Sequence, residues 1–236
     1  LGRLGSAGEV TDAMRQLLPL GTGVRGTLAQ LHEQGLIPSP MLVALPLVAS
    51  GEYKALKAGE YEFEAGLSPA QIIRKIVAGK VVVHKLTIVE GWNMREVRAA
   101  LMAETLLTGD LPADIPEGSI YPDTLHFSRG ETRAKLVEKL QKMRADKLAE
   151  AWEKRAPNLP ITTPEQALIL ASIVEKETGL ESDRPLVAGV FANRLRIGMP
   201  LQTDPTVIYG LGEAFDGNLR KRDLQTDGPF NTYLRA

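Results

Sequence analysis

Hydrophobic and polar positions in the first hundred residues repeat one pattern: a short apolar segment, a glycine turn and then a helical segment. The apolar segments that run into a glycine span residues 18–21, 61–66 and 86–91. Ser68 and Asn93 lie where the second and third helices begin, and Glu96 is placed to complete a capping box with Asn93. The repeat therefore predicts a small α+β unit in which each strand is followed by a helix.

Later segments of the chain differ in pattern. Residues 81–88 are rich in valine and isoleucine and predict a β-strand. Residues 106–130 are rich in Gly, Pro, Asp and Ser, which indicates a boundary or a structured surface loop. Three helices are predicted after this loop, over residues 132–154, 164–178 and 184–196. The first of them is highly charged and is predicted to be a solvated helix.

Composition narrows the class of protein. The 236 residues carry 28 Lys and Arg against 29 Asp and Glu, so the net charge of −1 does not favour nucleic acid as a partner. The lack of cysteine excludes disulfides, thiolate metal ligands and cysteine nucleophiles. The three histidines are scattered singly, and neither a metal site nor a cofactor is predicted. No apolar run in the sequence approaches the roughly 18 residues that a membrane span requires.

One carboxylate lies on the apolar face of the helix predicted over residues 164–178. At about 100° per residue, Glu177 falls about 20° from Leu170 and is flanked by Ile173 and Val174. Glu175 falls about 160° away from it, near the edge of the apolar arc. Burial of an unpaired carboxyl group raises its pKa, which suits a general acid that works near neutral pH. The pattern thus predicts that Glu177 is buried and makes it a candidate for such an acid.

Two interpretations of Glu177 stay open at this point. It is either this acid or the ion-pair partner of Arg184 or Arg194 on the following helix. The residues downstream favour the first interpretation, because amides, hydroxyls and aromatic rings typically line saccharide grooves. We therefore take the following as candidate substrate-binding residues: Asn193, Gln202, Thr203, Asp204, Tyr209, Asn231 and Tyr233.

Segments that cover most of the chain closely resemble the endolytic murein transglycosylases, the YceG-like family. The longest are 171–178 (ASIVEKET), 184–199 (RPLVAGVFANRLRIGM) and 201–210 (LQTDPTVIYG). Shorter matching segments are 56–61, 89–92, 121–124 and 231–233. The resemblance assigns the catalytic role to Glu177, the glutamate that the helical pattern also selects.

The resemblance implies a bacterial enzyme that cuts peptidoglycan glycan strands internally, between MurNAc and GlcNAc. Such an enzyme uses neither water nor a cofactor, leaves 1,6-anhydro-MurNAc ends and would limit the length of nascent strands. It also implies an anchor in the inner membrane ahead of Leu1, with the catalytic part on the periplasmic or outer side. Peptidoglycan strands and cell-wall synthases are the expected partners.

For the fold, the resemblance implies an α+β protein. A LysM-like subdomain is expected over residues 1–100, followed by a mixed α/β catalytic domain over residues 101–236. Family members continue beyond the position of Ala236, so this domain is expected to be C-terminally incomplete.

Two other functions are weighed against lytic transglycosylation. Ordinary glycosidases need a second carboxylate, and Asp204 is the nearest candidate, so hydrolysis by Glu177 and Asp204 is one alternative. The other is a peptidoglycan-binding scaffold that has no working active site.

Overall fold

The structure is a computed structural model that describes residues 14–19 and 22–235. The chain divides into two compact units whose segments alternate along the sequence. Unit 1 combines Leu1–Leu86, Ala103–Asp110 and Thr124–Arg133, and unit 2 combines Thr87–Met102, Leu111–Asp123 and Ala134–Ala236. Each unit is thus built from three separate segments of the chain. The domain boundary expected near residue 100 stays a prediction.

Unit 1 contains short strands and helices in alternation. Its elements are β1 (Met14–Leu18), α1 (Gly23–Glu33), α2 (Pro40–Ser50), β2 (Gly59–Phe63), α3 (Pro69–Val77), β3 (His84–Thr87, which reaches unit 2 at its last residue) and β4 (Thr124–Phe127). β1 and β2 pair antiparallel, with Met14 opposite Phe63 and Leu18 opposite Gly59, while β3 pairs with β4. Tyr61 and Phe63 on β2 are fully buried, as are Ile72 and Ile76 on α3. One face of β2 and the apolar stripe of α3 thus supply much of the core of this unit.

The predicted repeat is confirmed: a helix follows each of β1, β2 and β3, the third of them being α4 (Met94–Ala103). Gly21, the turn glycine of the first copy, lies outside the described residues. The predicted capping box of α4 is present, because the Asn93 N–H donates to Glu96 Oε2 at 2.8 Å and the Glu96 N–H donates to Asn93 Oδ1 at 3.0 Å. Alternation of short strands and helices agrees with the predicted α+β class.

The strand predicted over residues 81–88 is shorter than expected. Only His84–Thr87 is a strand, and it pairs with a β4 that is itself four residues long. Val82 makes one backbone hydrogen bond, to the Glu60 carbonyl at 2.6 Å, and Val83 is exposed. A segment rich in β-branched residues forms a strand only where a partner strand lies beside it. The length of the partner cannot be predicted from the segment itself.

A buried carboxylate in unit 1 binds a histidine and an arginine side chain. Glu60 on β2 is 7% exposed, and its Oε2 lies 2.8 Å from His84 Nε2 and 3.2 Å from Arg129 Nε. Burial alone would raise the pKa of Glu60, but the hydrogen bonds from His84 and Arg129 and their charges outweigh it. The pKa of Glu60 therefore lies below its ordinary value, and Glu60 is an ionised group inside this unit.

Unit 2 is mainly helical. Besides most of α4, it contains most of α5 (Arg133–Glu153) and all of α6 (Pro164–Glu177), α7 (Arg184–Arg196), α8 (Asp204–Leu211) and α9 (Lys221–Gln225). The three helices predicted after residue 130 are confirmed within one residue at each end. A small core packs α6 against α7 through Ile173, Val174 and Phe191, together with Leu201. Within residues 14–19 and 22–235, no helix is both long and apolar enough to cross a bilayer.

Candidate active site

Glu177 is the last residue of α6. The helix begins with a capping box in which Thr163 Oγ1 accepts from the Gln166 N–H at 3.2 Å, and it ends at Thr178, whose backbone is extended. Only Ile173 and Val174 of this helix are buried, whereas Glu177 is exposed. The predicted burial of Glu177 is therefore wrong. A helical wheel predicts which side of the helix a side chain lies on. It does not predict whether other segments cover that side, and in unit 2 the core does not extend over the last turn of α6.

The two arginines that could have paired with Glu177 bind other groups. Arg184 Nη2 lies 2.9 Å from Glu175 Oε2, and Arg194 Nη1 donates to the Leu201 carbonyl. Among the described residues, no cation pairs with Glu177. The structure thus does not support the ion-pair interpretation of Glu177.

Thr203 binds the Glu177 carboxylate directly. Its Oγ1 donates to Glu177 Oε2 at 2.5 Å, and the Thr203 residue is only 2% exposed. Thr203 is the N-cap residue of α8 and has an extended backbone. Gln202, just before it, has a φ of 49°, in the left-handed region that residues other than glycine rarely adopt. The chain thus turns sharply immediately ahead of the residue that contacts the carboxylate.

A second hydrogen-bonded pair adjoins the first. Tyr233 donates its hydroxyl to Asp204 Oδ1 at 2.5 Å. This hydrogen bond, with burial and the negative charges of Asp204 and Glu177, raises the pKa of Tyr233 to about 12, while Arg194 acts in the opposite direction. The influence of Glu177 on Tyr233 shows that its carboxylate lies in the same neighbourhood. The structure therefore brings together four of the predicted residues: Glu177, Thr203, Asp204 and Tyr233.

Two threonines outside the predicted set complete the network around Thr203. Thr232 Oγ1 accepts from the Thr203 N–H at 3.1 Å, and Thr206 Oγ1 donates to the Thr203 carbonyl at 2.8 Å. The two hydroxyl oxygens of Thr206 and Thr232 are themselves 2.8 Å apart. The only sequence signal for Thr206 was its position one turn after Thr203 on the same helix, and a lone threonine at that spacing is too common to indicate a site.

Three predicted residues use their polar groups within the protein. Asn231 is 4% exposed, and its Nδ2 donates to the Leu224 and Thr226 carbonyls at 3.0 and 2.7 Å. The Asn193 side chain accepts from Arg196 Nη1 at 2.6 Å, on the exposed side of α7. The Gln202 N–H donates to the Thr232 carbonyl at 2.9 Å, while its side chain is exposed. No contact to Glu177 is described for any of the three, and their contact with substrate stays a prediction.

Tyr209, the remaining predicted residue, lies farther along α8. Its hydroxyl donates to Glu117 Oε2 at 3.2 Å, and its ring packs edge-on against Phe230 with 4.9 Å between centroids. Burial, followed by the charge and hydrogen bond of Glu117, raises the pKa of Tyr209. Both rings are about half exposed, so they present aromatic surface to solvent. Neither Glu117 nor Phe230 was selected from the sequence.

The chain is similar in sequence to known proteins of one family. A family model described as the YceG-like family matches residues 17–236. The chain is 27% identical over 247 residues to the endolytic murein transglycosylase of Bacillus subtilis strain 168, covering 92% of this chain and 68% of that protein. It is 24% identical over 263 residues to the endolytic murein transglycosylase of Streptococcus pneumoniae strain D39, covering 92% of this chain and 47% of that protein. The chain thus spans about half the length of the streptococcal relative.

A solved structure supports the fold. A YceG-like protein from Listeria monocytogenes, determined at 2.6 Å, matches with a TM-score of 0.51 and 26% sequence identity. The match covers 94% of this chain and 83% of that one.

Proposed function

Because the chain belongs to the YceG-like family, we propose that it is an endolytic lytic transglycosylase that cleaves peptidoglycan glycan strands. The observation that carries this proposal is the exposed Glu177 carboxylate, held by the buried Thr203 hydroxyl at 2.5 Å. An exposed carboxyl group is accessible to a polymer, and a buried hydrogen-bond donor limits its motion. Relatives that cover 92% of this chain carry the name endolytic murein transglycosylase, which supports the same activity.

In the proposed reaction, one carboxyl group acts first as the general acid and then as the general base. Neutral Glu177 protonates the glycosidic oxygen as the bond between MurNAc C1 and GlcNAc breaks. The Glu177 carboxylate then takes the proton from the C6 hydroxyl of MurNAc, whose oxygen attacks C1 and closes a 1,6-anhydro ring. No water enters the reaction, and the carboxyl group ends in its starting protonation state.

Digestion of purified sacculi by the full-length protein tests this proposal. Mass analysis of the released fragments should find 1,6-anhydro-MurNAc ends, which are lighter by one water than reducing ends. A reducing MurNAc end would instead support hydrolysis by Glu177 and Asp204, since a second carboxylate is needed to activate water or form a glycosyl intermediate. Binding to sacculi without cleavage by the folded protein would support the scaffold alternative.

We also assign a glycan-binding, LysM-like role to the repeat in unit 1, on the strength of its recurring strand–helix pairs. The expected partner is the same glycan strand that the enzyme cuts, and cell-wall synthases are candidate protein partners. A substrate of this kind requires an extracytoplasmic site of action. The proposal extends to an inner-membrane anchor encoded ahead of Leu1, and a native gene without an apolar stretch of about 20 residues there would contradict it.

A further inference from the structure

We infer that Thr203 is a positioning residue for Glu177, and that the turn at residues 231–233 holds Thr203 in place. The inference rests on the proposed function, because it identifies the group that orients the proton donor of that reaction. It also gives Thr203, Asn231 and Tyr233 a role other than the sugar contact that the sequence suggested.

Thr203 restricts a side chain that would otherwise be free to rotate. Glu177 is exposed at the end of α6, where an unrestrained glutamate samples several rotamers. The hydrogen bond from Thr203 Oγ1 reaches only Oε2 of Glu177, at 2.5 Å. Within the described part of the chain, Oε1 accepts no hydrogen bond, so Oε1 is the oxygen left to carry the catalytic proton.

The backbone of Thr203 is fixed on both sides by hydroxyl groups. Thr232 Oγ1 accepts from its N–H at 3.1 Å, and Thr206 Oγ1 donates to its carbonyl at 2.8 Å. One residue earlier, the Gln202 N–H donates to the Thr232 carbonyl at 2.9 Å. Thr232 thus binds two consecutive residues of the segment that contacts the carboxylate.

The turn that carries Thr232 is itself anchored by its neighbours. Asn231 is almost fully buried, donates to the Leu224 and Thr226 carbonyls, and accepts from the Tyr233 N–H at 2.9 Å. The Tyr233 hydroxyl binds Asp204, the residue that follows Thr203. The side chains of three consecutive residues therefore each bind a different group. Asn231 binds the end of α9, Thr232 binds the backbone of Thr203, and Tyr233 binds the carboxylate of Asp204.

This arrangement suits a carboxyl group that changes its protonation state twice in one turnover. A threonine hydroxyl can donate both to the carbonyl oxygen of a neutral acid and, more strongly, to a carboxylate. Thr203 can therefore keep the Glu177 carboxyl plane in one orientation before and after proton transfer. Its loss should disorder the reacting group without removing a contact to the sugar, so turnover should fall while substrate affinity is retained.

Kinetics of threonine variants in the full-length protein test this directly. We expect Thr203→Val to lower kcat about 10- to 100-fold on sacculi and to change KM less than about twofold. Thr203→Ser, which restores the hydroxyl, should recover most of the loss, and Thr232→Val should give a smaller loss in the same direction. Thr162→Val removes a hydroxyl near the far end of α6 and is the matched control, with kcat and KM unchanged.

A second measurement does not depend on activity. Carbon-13 NMR of labelled glutamate carboxyl groups identifies the Glu177 signal by its absence in Glu177→Gln. Because the hydrogen bond to Oε2 is lost, the chemical shift of this signal should change in Thr203→Val and stay near the wild-type value in Thr203→Ser. Wild-type kcat together with a wild-type chemical shift of the Glu177 signal in Thr203→Val would overturn the inference, and Thr203→Ala replaces that variant if it does not fold. A wild-type protein that leaves no anhydro ends would refute the proposed function alone, since the chemical shift of the Glu177 signal still decides whether Thr203 positions its carboxylate.

Discussion

Glu60 in unit 1 and Glu177 in unit 2 are both held by short hydrogen bonds, but their surroundings differ in every other respect. Glu60 is 7% exposed and binds the His84 and Arg129 side chains, which together keep its pKa below the ordinary value. Glu177 is exposed and binds one neutral hydroxyl. A buried ion pair suits a carboxylate that must stay charged, whereas an exposed carboxyl group with a neutral donor can gain and lose a proton. The comparison supports a structural role for Glu60 and the chemical role that we propose for Glu177.

The largest expected effect is the loss of activity in Glu177→Gln. Glutamine keeps the size of the side chain but cannot deliver a proton, so glycan cleavage should fall by about 100- to 10,000-fold. The melting temperature should stay close to that of the wild type, because no buried ion pair is broken. Turnover and thermal melting measured side by side check this, with Glu175→Gln as the control that changes turnover far less. A folded Glu177→Gln protein that still releases anhydro ends would remove Glu177 from the proposed role.

The reverse behaviour is expected of Glu60→Gln. Removing the carboxylate leaves Arg129 without its counter-ion and His84 without its charged hydrogen-bond partner, so the free energy of unfolding should fall by about 2–4 kcal/mol. Activity per folded molecule should be retained. Glu62→Gln is the matched control on the same strand, since Glu62 pairs with Arg15 at 3.4 Å across an exposed surface and should cost less than about 1 kcal/mol. Equal losses of stability in the two variants, measured by chemical denaturation, would contradict the distinction.

The dependence of protein stability on acidic pH should reveal the charge of Glu60. The pKa of Glu60 is lowered in the folded state, so its contribution to stability is present above its unfolded value of 4.5 and is lost as pH falls through the lower folded value. Arg129, the cation beside Glu60, keeps its charge over this range and so supports the ion pair until Glu60 is protonated. Denaturation below pH 4.5 should therefore depend on pH more steeply in the wild type than in Glu60→Gln. Identical slopes would mean that Glu60 is not charged inside unit 1.

The smallest expected effect is that of Tyr233→Phe. This change removes the hydroxyl that Asp204 accepts from, and a single such hydrogen bond contributes about 1 kcal/mol to stability. Spectrophotometric titration should lose one tyrosine whose pKa is about 12. Tyr121→Phe is the control, since no hydrogen bond of the Tyr121 hydroxyl is described in residues 22–235. Loss of an ordinary tyrosine titration instead would contradict the Tyr233–Asp204 contact.

Local patterns in the sequence predicted local structure well. The helices that begin at Pro69, Met94 and Pro164 were identified because proline at the first turn and capping side chains act within a few residues. The helical pattern and the family resemblance also selected Glu177, which the structure places beside Thr203.

Contacts between distant segments could not be predicted in the same way. His84 and Arg129 are 24 and 69 residues from Glu60, so no pattern on β2 distinguished the buried Glu60 from the exposed Glu62. Thr232 lies 29 residues from Thr203, and its hydroxyl has no sequence signature. The burial of Glu177 was predicted wrongly for the same reason, because burial depends on which other segments cover the end of α6.

The alternation of the two units along the chain has a consequence for synthesis on the ribosome. Unit 1 cannot pair β3 with β4 until residue 127 has left the exit tunnel, by which time two segments of unit 2 have already emerged. Residues 87–102 and 111–123 of the nascent chain must therefore wait, not yet folded against the rest of unit 2, while unit 1 is completed, because residues 134–236 follow later in the chain. A fragment that ends at residue 100 lacks β4 altogether and should be a poor substitute for unit 1 in any binding assay. Nascent chains long enough for residue 133 to have left the tunnel should be the first to resist proteolysis over unit 1.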